Sequence, residues 1–184
     1  MGRRDEVECW LTDMDGVLVH ENHALPGAAE LLQQWENAGT PYLVLTNNSI
    51  FTARDLSARL RSSGLHVPED RIWTSALATA DFLKQQLPGG TAFVIGEAGI
   101  LTALHEAGFF MTETDPDFVV VGETHNYSFE AITNAVPPGS CDLRKSAVAR
   151  ALVQMRSSGT FRPEERSRAE RSRAVKIELF VSTR

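Results

Sequence analysis

The sequence predicts an α/β fold with a mostly parallel sheet across its first 135 residues. Short apolar runs alternate with amphipathic stretches, and glycine or proline punctuates the junctions. A third observation concerns where polar residues collect. Asp13, Asp15 and Gly16 close the first apolar run, and Thr46, Asn47 and Asn48 close the second. Both clusters therefore fall at strand carboxyl ends, where open α/β sheets bind ligands.

Taken in order, Val7–Thr12 is a short apolar run ended by the Asp-Met-Asp-Gly turn. Pro26 opens a helix in "PGAAELLQQWENAG", with Ala29, Leu32, Trp35 and Ala38 expected on one face and Gly39 as its stop. "YLVLT" is a second buried strand running into the polar turn "NNS". Thr52 caps a helix whose Leu56 and Leu60 stand at i, i+4, and Gly64 ends it. A helix over Ala76–Leu87 stops at Pro88-Gly89-Gly90, and Ala92–Ile95 is a strand. "EAGILTALHEAG" is a helix ended by Gly108, "DFVVVG" a strand, and "YSFEAITNA" a helix with Phe129 and Ile132 on one side.

The pattern changes at Val136. A Pro-Pro breaks the last helix after about two turns, and Arg and Ser dominate the rest of the chain, most densely in "RPEERSRAERSRA". A helix over Leu143–Met155 and a strand at "VKIELFV" are the elements this stretch suggests. Charge changes at the same point. Residues 1–135 hold 19 acids and 7 Lys/Arg, a net −12, while residues 136–184 hold 5 acids and 11 Lys/Arg, a net +6.

Composition excludes several classes. No apolar run approaches the roughly 20 residues of a membrane span, and the N-terminus has no signal-peptide core. Cys9 and Cys141 form no CxxC pair and no disulfide framework, so a reducing, cytoplasmic setting is expected. The basic tail lacks interleaved aromatics beyond Phe161 and Phe180, so a solvated, disordered tail is expected rather than nucleic-acid binding. Self-association is left open.

The chemistry begins with Asp13 and Asp15. Side chains two apart on a strand point the same way, so the two carboxylates can share a pocket. With a backbone carbonyl they make a partial shell of hard oxygens suited to Mg²⁺. One carboxylate can attack phosphorus while the other serves as general acid and base. Gly16 lets the chain turn away beneath a ligand. On its own, Asp-x-Asp-Gly reads equally well as a capped turn. An EF-hand is excluded, because position 17 and the twelfth loop position do not match. Thr46 and the amides of Asn47 and Asn48 can hold an anionic oxygen, although "TNNS" also suits a helix cap. Two such strand ends joined by one helical crossover are more specific than either alone.

The stretch "DMDGVLVHENHALPGAAELLQQWENAGTPYLVLTNNS", continued by "FVIGEAGILTALHEAGF" and "DFVVVGETHNYSFEAITNA", resembles haloacid dehalogenase (HAD) superfamily phosphatases. The subfamily it is similar to is the NagD-like, p-nitrophenylphosphatase-type one (class IIA). The match covers residues 6–135 and includes motif I at Asp13–Val17, the "LPGA" helix start at Leu25–Ala28 and motif II at Thr46–Asn48.

The resemblance implies a Rossmann-like core with an inserted α/β cap. Residues 1–75 would be the first part of the core, 76–135 the first half of the cap, and 136–184 an unmatched, disordered or aberrant tail. It implies a phosphatase acting on a small phosphorylated metabolite. Asp13 would be the nucleophile and Asp15 the acid/base. Mg²⁺ would be held by the Asp13 carboxylate and the Asp15 carbonyl, and Thr46 with Asn47 would bind the phosphoryl group. "GETHNYS" would be a cap loop near the substrate or a plain connection, and His20, Glu21 and Asn22 would follow motif I as a loop near the site.

Two pieces the family uses have no match. One is a Lys, usually in Gly-Lys-Pro; the chain's lysines are Lys84, Lys145 and Lys176, none in that setting. The other is a Gly-Asp pair with a further Asp; beyond Asp117 the sole aspartate is Asp142. The tail is accordingly expected to be foreign to the family, through truncation, a frameshift or an aberrant splice or gene boundary. The chain itself is expected to be inactive or impaired. A catalytically dead phosphate-binding or regulatory fragment is the alternative, as is a phosphotransferase or phosphonatase using the same Asp. The scattered histidines and Cys9 are expected to be structural, Cys9 as a small core residue, and "GEAG" at Gly96–Gly99 a turn.

Overall fold

A computed structural model describes residues 9–134 and 148–150 of the chain. It divides into two compact units. Of the described residues, the first holds those up to Asn47 together with Phe51–Thr74, and the second holds Asn48–Ile50 and those from Ser75 onward.

The first unit is built on a parallel sheet of β1 (Trp10–Asp13), β4 (Tyr42–Thr46) and β5 (Ile72–Thr74), in the order β1-β4-β5. Between β1 and β4 come a small antiparallel hairpin, β2 (Val19–His20) with β3 (His23–Ala24), and helix α1 (Ala28–Asn37). Helix α2 (Ala53–Ser62) and a short 3-10 turn at Glu69–Arg71 connect β4 to β5. Leu18, Leu32, Val44, Leu56, Leu60, Leu65 and Ile72 form one buried cluster.

Local chemistry explains these helices. In α1 the buried positions are Ala28 and Leu32, with Trp35 packed against the cluster. That i, i+4, i+7 stripe corrects the expected face, since Ala29 and Ala38 are exposed. Helix α2 starts from the predicted cap. The Thr52 hydroxyl accepts from the Asp55 N–H at 3.1 Å, and Asp55 reaches back to the Thr52 N–H at 3.3 Å, a reciprocal capping box. Gly64 follows with φ +88°, the left-handed conformation a helix stop uses.

The second unit carries a parallel sheet in the order β7-β6-β8-β9. Its strands are β6 (Thr91–Ile95), β7 (Phe110–Met111), β8 (Phe118–Val121) and β9 (Val148–Arg150). Its helices are α3 (Ser75–Gln86), α4 (Ala98–Glu106) and α5 (Phe129–Asn134). Ala80, Leu83, Ile100, Leu104, Phe109 and Val120 make a second core cluster. The Asp117 carboxylate ties the start of β6, accepting the N–H and hydroxyl of Thr91, each at 2.8 Å.

Several expectations are corrected here. Val148–Arg150 is a strand in register with Val119–Val121, not part of a helix over Leu143–Met155. The open edge of β8 offers it a ladder of hydrogen bonds that local propensity does not weigh. The remainder of that span and the "VKIELFV" stretch lie outside the described residues. Phe129 is 85% exposed, Ala131 packs against Ile95 and Val119, and the side chain of Ile132 lies outside those described. Cys9 is exposed rather than in the core. The short strands β2, β3, β5 and β7 escape the sequence pattern, being two or three residues long.

Candidate active site

The fold brings Asp13, Asp15 and Thr46 together at the carboxyl ends of two neighbouring strands of the first unit. Thr12 pairs with Val44 and Asp13 with Leu45 in the β1–β4 ladder. The Met14 N–H continues that ladder onto the Leu45 carbonyl at 3.0 Å. The same N–H donates to Asp13 Oδ1 at 2.9 Å and so orients the carboxylate. One position further, the Thr46 hydroxyl donates to Asp15 Oδ2 at 3.4 Å. Thr46 is 1% exposed, Asp13 is half-buried and Asp15 is exposed.

Electrostatics mark Asp13 as under-compensated. The Asp13 carboxyl is held above its ordinary value chiefly by burial, and the Asp15 charge adds to the rise. The Met14 N–H opposes both effects but does not outweigh them. Two converging carboxylates with hard oxygen donors are what a divalent cation neutralises, so the residues present fit part of a metal shell. Among the described residues no group of three His, Cys, Asp or Glu side chains comes together to complete one.

Gly16 has φ +82°, a conformation that glycine adopts without strain. From it the chain folds into the β2–β3 hairpin. Gly16 N–H donates to the Val19 carbonyl at 2.8 Å, and the Leu18 and Val19 N–H groups both donate to the Met14 carbonyl. The hairpin tip, Glu21 and Asn22, has φ +46° and +65°, the backbone of a two-residue type I′ turn. The loop after motif I is thus an ordered hairpin. His20 and His23 on it are exposed.

The residues of the second motif divide between the two units. Thr46 and the exposed Asn47 belong to the first, whereas Asn48 belongs to the second. The Asn48 side chain accepts the Ile50 N–H at 3.1 Å, a local turn that shapes the segment. Ser49, only turn material by its sequence pattern, has the larger part there. Its carbonyl and that of Ile50 accept the N–H groups of Ile100 and Gly99 at 3.0 and 2.8 Å, satisfying the start of α4. Its hydroxyl accepts the Glu123 N–H at 2.9 Å. This is the point in the β7-β6-β8-β9 sheet where connections from β6 and β8 leave in opposite directions, the usual crevice of such sheets. Gly96 and Gly122 line it. A Cβ on Gly122 would stand 3.3 Å from Ser49 Oγ.

In the "GETHNYS" stretch, the Thr124 hydroxyl donates to Glu97 at 2.6 Å, and this bond holds the Glu97 carboxyl below its ordinary value, aided by His125. "GEAG" is therefore more than a turn, since Glu97 is the N-cap residue of α4.

Residues 10–110 match the family model described as a haloacid dehalogenase-like hydrolase. The chain belongs to that family. It is 60% identical over 127 residues to the dihydroxyacetone phosphatase of Corynebacterium glutamicum (strain R), covering 69% of this chain and 46% of that one. It is 45% identical over 125 residues to the ribonucleotide monophosphatase NagD of Escherichia coli (strain K12), covering 68% of this chain and 50% of the relative. Among solved structures, NagD from E. coli K-12 superposes with a TM-score of 0.66 at 43% identity, covering 70% of this chain and 51% of that one. A p-nitrophenyl phosphatase from Archaeoglobus fulgidus gives 0.64 at 31% identity, covering 69% and 49%. This member spans about half the length of the curated relatives it matches. Its described residues contain no helix long and apolar enough to cross a membrane.

Proposed function

We propose that this chain carries the phosphoryl-binding half of a phosphatase that hydrolyses small phosphomonoesters through an aspartyl-phosphate. The observation that supports this best is the convergence of Asp13, Asp15 and Thr46 at the ends of adjacent parallel strands, in a member of a hydrolase family whose named relatives are phosphatases.

In this reading Asp13 attacks phosphorus with Oδ2, since Oδ1 is engaged by the Met14 N–H. The P–O bond to the leaving group breaks, and the Asp15 carboxyl gives its proton to the departing oxygen. A water then attacks the aspartyl-phosphate and returns a proton to Asp15, which releases phosphate and restores Asp13. Thr46 positions Asp15 in this scheme and, with the Asn47 N–H, holds a phosphoryl oxygen. Mg²⁺ on Asp13 and the Asp15 carbonyl would offset charge on the phosphoryl oxygens when bound. Residues 1–75 would act as the core portion and 76–135 as the cap portion.

The Lys and the further acids that the family resemblance leads one to expect are not supplied by the sequence. One comparable transition-state contact is worth roughly 3–4 kcal/mol, so two such losses lower the rate by several orders of magnitude. The chain alone is therefore proposed to bind phosphate analogues and to turn over slowly or not at all, as a small-metabolite rather than nucleic-acid or membrane protein. The dihydroxyacetone phosphatase relative makes dihydroxyacetone phosphate the first substrate to assay.

Two measurements on the purified chain decide the matter. Calorimetric titration with beryllofluoride and Mg²⁺ is expected to show binding, and Asp13→Asn to remove it. Hydrolysis of p-nitrophenyl phosphate at a rate ordinary for an enzyme would overturn the proposed impairment, and absence of beryllofluoride binding would overturn the site.

A further inference from the structure

Two segments of the first unit follow the candidate residues: the hairpin after Asp15, and the chain that resumes at Phe51 after the turn beyond Thr46. Both meet one side chain of α2. The Arg59 guanidinium lies 4.3 Å from the centroid of the Phe51 ring, just beyond the second loop. Its Nη2 donates to Asn22 Oδ1 at the hairpin tip at 2.7 Å. The Ser63 hydroxyl donates to the Asn22 carbonyl, also at 2.7 Å. The far end of the hairpin is thus fastened at two points, to α2 and to its C-cap residue.

The near end is fastened to the candidate acid. Asp15 forms a bridge with Val19, Gly16 N–H reaches the Val19 carbonyl, and the Leu18 and Val19 N–H groups reach Met14. Displacing the hairpin therefore displaces the backbone on which Asp15 stands. Asn22 holds a left-handed conformation that its residue type tolerates well, so the tip is shaped to present its amide. Arg59 and Asn22 are exposed, and exposed polar contacts of this kind add little to global stability. The arrangement has a local consequence instead.

We propose that Arg59 is a positioning residue. It clasps the hairpin tip to the segment beyond Thr46 and so holds Asp15 where the Thr46 hydroxyl reaches it. The consequence for ligand binding rests on the phosphoryl-transfer reading; the clasp itself does not.

Amide hydrogen exchange on the full chain tests the clasp directly. Arg59→Met removes the guanidinium, and Asn22→Gly removes the acceptor while keeping a left-handed turn. Exchange at Gly16, Leu18 and Val19 is expected to quicken roughly three- to tenfold in both variants. Arg59→Lys, which keeps a donor and a cation, restores most of the protection. The comparison variant is Ser62→Ala, whose hydroxyl donates to the Arg59 carbonyl at 2.7 Å on the same helix. It is expected to leave those amides unchanged. Unaltered exchange in Arg59→Met, or an equal rise in Ser62→Ala, overturns the clasp. Beryllofluoride affinity measured with Mg²⁺ is expected to fall roughly three- to tenfold in Arg59→Met and Asn22→Gly, with melting temperature within about 3 °C of wild type. Faster exchange with unchanged affinity overturns the positioning role. Wild type that binds no beryllofluoride overturns the phosphoryl-transfer reading, and the exchange result still decides the clasp.

Discussion

The Thr46 hydroxyl donates to Asp15 Oδ2 at 3.4 Å, joining residues 31 positions apart through the parallel pairing of β1 and β4. The donor is buried and the acceptor exposed, so the contact lies where the sheet meets solvent. Thr46→Val keeps the shape and removes the hydroxyl. Beryllofluoride binding is expected to weaken about tenfold, equivalent to about 1.4 kcal/mol, while Thr46→Ser stays near wild type. Calorimetry checks this, and equal affinity for Val and Ser variants would remove Thr46 from the site.

Asp13 gives a stability prediction with a definite sign. Burial first, and the Asp15 charge after it, raise its folded-state value above the ordinary 3.8. The folded chain therefore holds the proton more tightly than the unfolded chain. Stability from this group is fully present below pH 3.8 and is lost as pH rises through the raised value. In EDTA at pH 7, Asp13→Asn should therefore be more stable than wild type toward urea. The gap should close as pH approaches the acid range. A variant less stable at pH 7 contradicts this.

Tyr42 predicts the alkaline limb. Its phenol is raised above 10.0 by burial first, with the neighbouring Glu36 carboxylate adding to the rise and Arg71 opposing it. The neutral phenol is the form the fold accommodates, so its contribution is intact below pH 10.0 and is lost as pH rises through the raised value. Tyr42→Phe should flatten the fall of melting temperature above pH 10 relative to wild type. Parallel curves for the two proteins would contradict the assignment.

The capping box supplies a magnitude. Thr52→Ala removes the acceptor for the Asp55 N–H and is expected to cost about 1 kcal/mol. Leu56→Ala, one turn into the same helix at a residue 2% exposed, should cost about 2–5 kcal/mol. Urea unfolding of both variants, with circular dichroism as the probe, tests the ratio; a cap variant as damaging as the core variant would contradict it.

Much of the order of elements was legible because the signals are local. "YLVLT" is buried on alternate residues as a strand, and Thr52 with Asp55 states a helix start in four residues. Short strands were not legible. Ile72–Thr74 and Phe110–Met111 have too few residues for a period, and they exist because β4 and β6 offer open edges to pair with. The same cause made a strand of Val148–Arg150, where the sequence suggested a helix.

The site divides in the same way. The sequence by itself singled out the candidate side chains, because an Asp-x-Asp-Gly turn and a Thr-Asn-Asn turn each sit at a strand end and need nothing distant to be recognised. Only the tertiary structure decided their company. Strand register placed Thr46 against Asp15. Packing drew Asn48–Ile50 into the second unit, onto α4 and Glu123. Long-range hydrogen bonds fastened Asn22 to Arg59 and Ser63. Such contacts join positions dozens of residues apart, and no local period encodes them. They form only when loop closure is offset by the burial of the core beneath.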